Sequence, residues 1–256
     1  MVPSRTACCH RYPVAEVLRN LIVTGGMYHP FGDSAQALRD GLAVAGIEST
    51  VTDDMGQAWA LLARDSFDLL TVYALRWTMP QDKFAQDRAR WAYQVPAEAR
   101  QALQRHLQAG KGVLALHTAA ICFDDWPQWR EVVGAGWIWG DSHHPPLGPV
   151  QVRPTGCAHP IVDGLDAFSL VDEAYTRMDL LPGLDPLMEV RADSQDSHSP
   201  CLWARQVGGG RVVYNALGHD RASLSHPVHQ TILQRSALWA GGRGPSLQAS
   251  LDRASA

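Results

Sequence analysis

Four polar features of this 256-residue sequence share one position: each follows closely on an apolar run. His29 follows Leu21-Ile22-Val23 and a glycine pair, His117 follows Val113-Leu114-Ala115-Leu116, Asp172-Glu173 follows Phe168 to Val171, and His219 follows Val212 to Gly218. In an open α/β sheet the carboxyl ends of the parallel strands open onto one edge, where ligand chemistry gathers. Imidazoles and a carboxylate brought there from distant parts of the chain have two uses. They can ligate a divalent ion of the zinc or manganese kind, with His29, His117 and His219 as candidate ligands. They can instead act without metal as a general acid/base set, with His117, Glu173 and His219 as candidate catalytic groups. No H-E-x-x-H pair decides between the two.

His117 is the focus of this reading. Gly110-Lys111-Gly112 precedes its strand, and Thr118-Ala119-Ala120 lets a helix begin at once. The glycines before His29 allow close approach of backbone to a ligand. Candidate substrate contacts are Tyr28, Trp126, His143, His144 and Asp172. Trp126, with Trp129, Trp137 and Trp139, either stacks on sugar rings or packs a loop. His143-His144-Pro145-Pro146 is placed at the rim of the crevice, although adjacent side chains rarely point the same way. His159 reads as a turn residue, His106 as a helix-surface residue, and His226 and His229 as structural.

The elements that must position these groups alternate. Strands are predicted at Leu18–Thr24, Ile47–Thr52, Phe67–Tyr73 and Val113–Leu116, and helices at Ala35–Ala45 (capped by Asp33 or Ser34), Met55–Arg64 and Ala97–Ala109. This βα succession implies a mostly parallel sheet with helices on both faces. A long polar and aromatic loop, 74–95, interrupts it, and loops of that length are usually functional or mobile. After His117 the pattern changes to short helices, at Thr118–Cys122 and Gln128–Val133 with Gly134 as a stop. Strands at Val150–Arg153, Phe168–Asp172 and Leu187–Arg191 follow, then a hairpin across Gly208-Gly209-Gly210 and a closing helix, His226–Ala240. No repeat or linker divides the chain, so one domain is expected over residues 17–242, with an extension over 1–16 and a flexible tail over 243–256.

Composition excludes several classes. The formal net charge is -4 and the basic residues are scattered, so no stripe neutralises phosphates and no nucleic-acid partner is expected. No apolar run approaches the roughly 20 residues that span a bilayer, so no membrane partner is expected either. The segment before Leu18 lacks a signal peptide's apolar middle, which predicts a cytoplasmic protein. Five irregularly spaced cysteines argue against a disulfide framework, and Cys8-Cys9-His10 lacks the usual spacer of a metal clip. There is no G-x-S-x-G elbow, no G-x-G-x-x-G and no P-loop, so neither a serine hydrolase nor a nucleotide cofactor is indicated.

Taken in order, several segments resemble the ThuA-like (trehalose-utilisation) family: Val23 to His29, Gly112 to Ala120, Trp126-Pro127 with Val133-Gly134, His143 to Pro146, His159 to Leu165, Asp172-Glu173-Ala174-Tyr175, and Gly209 to His219. The likeness runs from about Leu18 to Trp239. It implies a flavodoxin-like fold similar to class I glutamine amidotransferases. In that superfamily a cysteine nucleophile stands at the sharp turn after a central strand. Here His117 stands in that region and Cys122 lies further on, so glutaminase chemistry is not expected. The resemblance implies catabolism of trehalose or related glycosides, including 3-keto forms, and makes a divalent metal plausible. The expected activity is therefore cleavage of a disaccharide or other glycoside, in its 3-keto form, by metal- or histidine-assisted elimination and hydration. The alternative is a non-catalytic sugar-binding or regulatory module on the same scaffold. The expected partner is a small-molecule carbohydrate; the sequence leaves homo-oligomerisation open.

Overall fold

The computed structural model describes residues 17–243. The predicted extension, with Cys8, Cys9 and His10, and all but the first residue of the predicted tail lie outside the described residues.

Nine strands form the central sheet: β1 (Leu18–Gly26), β2 (Ile47–Thr52), β3 (Leu69–Leu75), β4 (Gly112–Leu116), β5 (Gly148–Pro154), β6 (Phe168–Asp172), β7 (Pro186–Ala192), β8 (Ser199–Val207) and β9 (Gly210–Asn215). Their spatial order is β2-β1-β3-β4-β9-β8-β7-β5-β6. From β2 to β9 neighbouring strands are parallel; from β9 to β6 they are antiparallel. Burial follows this division. Every residue of β3 and β4 is buried, as parallel strands covered on both faces must be. Val150 and Val152 of β5 and Leu170 of β6 alternate with exposed neighbours, the mark of a sheet with one wet face.

Two groups of helices cover the parallel half. Helix α1 (Phe31–Val44) packs on β1 and β2, while α2 (Met55–Arg64) packs on the same strands and against α3 (Ala97–Gln108). A short helix, α4 (Pro127–Val133), contacts β9, and the closing helix α5 (Pro227–Ala240) contacts α1, β4 and β9. Helices therefore lie on both faces, as the βα succession predicts.

Several local details differ from the sequence reading. Helix α1 begins at Phe31 rather than Ala35, because Ser34 N already bonds Pro30 O at 3.0 Å. Asp33 is then an exposed first-turn residue, paired with Arg221 at 2.7 Å rather than capping. His106 is buried, not on the surface; its Nε2 donates to Gly112 O at 2.8 Å. The loop 74–95 is folded inward: Trp77 and Met79 are fully buried. Among the described residues no helix is long and apolar enough to cross a membrane.

β6 is separated from β9 by three intervening strands. In a flat sheet those strand ends would lie about 19 Å apart. Yet Asp172, the last residue of β6, accepts a hydrogen bond from Gly218 N, just past β9, at 2.8 Å. The antiparallel half must therefore curl back over the carboxyl edge of the parallel half, and that curl brings the second half of the chain to His117.

Candidate functional site

His117 is held from several sides. It is fully buried at the end of β4, in a left-handed backbone conformation (φ 50°), which non-glycine residues adopt at a cost. Its carbonyl oxygen accepts from the Tyr214 hydroxyl at 2.8 Å, and its Nδ1 donates to Ala216 O at 2.7 Å. Since a carbonyl only accepts, Nδ1 carries the proton and Nε2 presents a lone pair.

His29 arrives on the loop after β1. Gly26 there has φ 140° and so little room that a Cβ would sit 2.5 Å from Leu75 O of the neighbouring strand. Only glycine lets β1 run on beside β3 before the chain turns to His29. Nδ1 of His29 faces Met27 O at 3.4 Å, which favours the same tautomer as in His117, less firmly.

Glu173 and His219 are tied to each other through Asp172. This buried carboxylate accepts from Glu173 N (2.7 Å), Gly218 N (2.8 Å), His219 N (3.3 Å) and the Ser223 hydroxyl. Ser223 in turn meets His229, whose Nδ1 donates to Ser223 O at 2.9 Å and whose Nε2 accepts from Asn215 Nδ2 at 3.0 Å. The network fixes the strand end bearing Glu173 to the loop bearing His219.

The four side chains meet. Nε2 of His29 and Nε2 of His117 are 3.0 Å apart. Glu173 Oε2 is 3.4 Å from Nε2 of His117 and 3.9 Å from Nε2 of His29, and Glu173 Oε1 is 3.2 Å from Nδ1 of His219. One donor atom from each residue falls within 4.8 Å of all the others. Burial pushes the Glu173 carboxyl up, but the imidazoles of His117, His219 and His29 outweigh it and hold it far below the usual carboxylate range. Contact with Glu173 raises His219, whereas burial lowers His29.

These residues fit a cation. Nδ1 of each of His29 and His117 faces a backbone carbonyl, the arrangement that leaves Nε2 as the coordinating atom, and the two Nε2 atoms are 3.0 Å apart. Glu173 Oε2 and His219 Nδ1 are buried without a well-formed hydrogen bond, a condition that calls for an explanation in a native core. Two nitrogens bound to one zinc ion sit about 3.0–3.4 Å apart, and three imidazoles with one carboxylate suit zinc or manganese. No further group of three or more potential metal-binding side chains is found among the described residues.

The cluster lies at the base of a cleft of ≈ 330 Å³, within the usual range for small-molecule sites. Its walls include Tyr28, Trp77, Trp137, Trp139 and Tyr175, with Lys83 and His144 also lining it. Trp77 and Trp139 stack at 5.7 Å, and Tyr175 stacks on the His117 ring at 4.7 Å. Tyr175 also places its hydroxyl 3.1 Å from His117 Nε2, and burial pushes its phenol well up, so it stays protonated.

Of the candidate substrate contacts, Tyr28 and His144 line this cleft and the others do not. Tyr28 is 65 % exposed and His144 Nδ1 reaches within 3.5 Å of Glu173 Oε1. His143 points away, exposed, with Nδ1 against Asp141 O at 2.9 Å; its backbone pairs with Thr176, so the two neighbouring rings diverge. Trp126 is only 3 % exposed and borders a separate hollow beyond Trp137 and Trp139, so it packs rather than faces the cluster. Asp172 is consumed by its four donors and cannot reach a ligand. Cys122 is buried, donates to Ala74 O at 3.0 Å and has its thiol pushed up to about 12 by burial, the state of an inert structural cysteine. The sequence reading passed over Trp77 and gave Tyr175 no role of its own. Neither follows from spacing: Trp77 sits in an irregular loop, and Tyr175 is reached only through the curl of the sheet.

The sequence matches the family described as ThuA, trehalose utilisation, over residues 19–240. No curated protein matches the chain in sequence. Among solved structures, a ThuA-like protein from Parabacteroides merdae ATCC 43184 superposes with a TM-score of 0.70 at 19% identity, covering 89% of this chain and 91% of its own. A cytoplasmic protein from Salmonella typhimurium LT2 gives 0.59 at 13% identity, with 86% and 99% covered. A β-galactosidase from Rahnella sp. R3 gives 0.53 at 14% identity over 89% of this chain but 32% of the enzyme. At such identities the likeness is one of fold.

Proposed function

Because the chain belongs to the ThuA (trehalose utilisation) family, whose fold is the flavodoxin-like, amidotransferase-like one, we propose that it cleaves a 3-keto glycoside in carbohydrate catabolism. The observation that carries this reading is the convergence of the Nε2 atoms of His29 and His117, 3.0 Å apart, beside the carboxylate of Glu173 at the base of an indole-walled cleft.

His29, His117 and His219 would hold a divalent ion, and bound there it supplies Lewis acidity toward a ketone oxygen. The other steps belong to the chain. Indole faces of Trp137 and Trp139 suit the apolar face of a pyranose ring. A ketone at C3 acidifies the C2–H bond. Glu173, deprotonated, takes that proton; the electron pair moves into the C2–C3 bond and places charge on the C3 oxygen. As the enol collapses, the C1–O bond breaks, and Glu173 returns its proton to the departing oxygen. Water then adds across C1 and C2, giving net hydrolysis with all atoms balanced.

The test joins metal analysis of the purified protein to turnover of 3-keto-trehalose and simpler 3-keto glucosides with added zinc or manganese. Wild type is expected to retain a divalent ion and release a reducing sugar, and His117→Ala to lose both. No turnover by wild type, or undiminished turnover in His117→Ala, would sink the assignment. Sugar binding without product would favour the non-catalytic module.

A further inference from the structure

Three buried tyrosines surround the His117 region, and they differ in what they donate to. Tyr73 donates to Gly218 O at 2.7 Å and Tyr214 donates to His117 O at 2.8 Å. Both acceptors are backbone carbonyls and remain available whatever binds. Tyr175 donates to the Nε2 of His117 at 3.1 Å, and no other hydrogen bond of its hydroxyl is found among the described residues. That nitrogen has one lone pair, the same one a cation would use. The phenol's hydrogen bond and coordination by His117 therefore exclude each other.

Once the lone pair is taken, the Tyr175 hydroxyl becomes a buried donor without a partner, a condition that costs about 1–3 kcal/mol. The ring cannot move far, since it is 1 % exposed, stacked on His117, and packed edge-on against Trp137 at 5.2 Å. Tyr175 also forms part of the cleft wall. The acceptor that relieves it must then come from the ligand.

We propose that Tyr175 is a catalytic residue: released from His117, its hydroxyl donates a hydrogen bond to the substrate oxygen that gains charge as the neighbouring C–H bond breaks. This rests on the reaction proposed above, in which that oxygen is the one on C3. The phenol keeps its proton throughout, so the balance of the elimination is unchanged. A fixed donor aimed at a developing oxyanion stabilises the transition state more than the ground state.

Tyr175→Phe removes one oxygen atom and keeps the ring, so the fold is expected to survive. Three measurements on the full chain decide the matter. Zinc affinity, read by competition with a chromophoric chelator, is expected to be unchanged or up to about fivefold tighter, because a competing donor is gone. The Kd of acetohydroxamate, a mimic of an enediolate, for the zinc-loaded protein is expected to weaken at least ~10-fold. With 3-keto glycosides, kcat is expected to fall about 10²–10³-fold while KM moves only a few-fold. Unchanged acetohydroxamate affinity overturns the proposal, and so does a loss of zinc affinity beyond ~10-fold, which would make the hydroxyl a support for His117 instead. If wild type turns over no 3-keto glycoside, the proposed reaction fails on its own, and the acetohydroxamate comparison still decides the role of Tyr175.

Discussion

Replacing Asp172 by Asn separates the four donors that converge on its carboxylate. The substitution keeps the volume but turns one acceptor oxygen into an N–H donor. Whichever way the amide turns, it meets a donor: Glu173 N and His219 N on one side, Gly218 N and the Ser223 hydroxyl on the other. Hydrogen bonds to a charged group are worth about 1.5–3 kcal/mol and neutral ones about 0.5–1.5, so each surviving bond weakens by about 1 kcal/mol. On the Gly218 side the Ser223 hydroxyl can reverse and accept from the new amide, so Gly218 N is the one orphaned donor; it adds about 1–3 kcal/mol, for a loss of about 3–5 kcal/mol with the two weakened bonds. In a domain of this size that corresponds to a fall of about 6–20 °C in Tm. Urea unfolding should show a lower midpoint with an unchanged slope. Because the same carboxylate holds Glu173 and His219 in register, zinc affinity measured well below Tm should also fall about 10–100-fold. A midpoint within ~1 kcal/mol of wild type would refute the account of the network. Lost stability with undiminished zinc affinity would show that Glu173 and His219 are held by other contacts.

Other perturbations reach other parts of the molecule. Burial lowers the pKa of His106, so the unfolded state, near 6.5, takes up the proton first; the stability gained from a neutral His106 is full above about pH 6.5 and lost as pH falls toward the folded value. The urea-midpoint advantage of wild type over His106→Gln should shrink between pH 7.5 and 5.5, and an equal advantage at both would count against this. Gly26→Ala forces a Cβ against Leu75 O in a left-handed conformation, and is expected to cost upward of about 1–2 kcal/mol and to weaken zinc binding through His29; unchanged melting would contradict it. Native-state alkylation at pH 8 followed by peptide mapping should modify exposed Cys157 and spare Cys122, whose thiol is pushed up to about 12; rapid labelling of Cys122 would show that its burial is transient.

The parallel half of the fold was legible because its strands are continuous apolar runs with punctuated ends. Ile47–Thr52 and Met55–Arg64 fall where the sequence reading places them; Asp54, to which it gave no role, caps α2 by accepting from Gln57 N at 3.0 Å. That His29, His117 and His219 gather at one edge was legible for the same reason, since each follows closely on the end of a strand of the parallel half. What was not legible depends on tertiary geometry. The four antiparallel strands give the same alternation whether the sheet is flat or curled, and only the curl decides that Glu173 arrives while Asp172 is consumed beneath it. His143 and His144 are equivalent in sequence; the backbone pairing of His143 with Thr176 determines which ring turns inward. Trp126 packs, and Trp77, to which the sequence reading gave no role, lines the cleft, because indoles serve packing and stacking equally well and the loop 74–95 has no period to place Trp77. His106 reads as polar on a helix, yet its one hydrogen bond to Gly112 O is enough to keep it buried.

The curl of the antiparallel half also bears on how the protein comes apart. His29 and His117 leave the parallel strands, Glu173 leaves the far edge of the antiparallel extension, and His219 follows the strand where the two halves join. An extension covering a sheet in this way is the kind of unit that opens sub-globally, at less than the full cost of unfolding. A ligand gripping all four side chains would oppose that opening, by about 2.7 kcal/mol at a hundredfold excess over its Kd. Amides of β5 and β6 that exchange through such an opening would then slow on loading by the same factor as amides that exchange through complete unfolding, since either opening breaks the site. The site would act as a latch between two halves of one sheet, and occupancy would be recorded in the cooperativity of the whole chain.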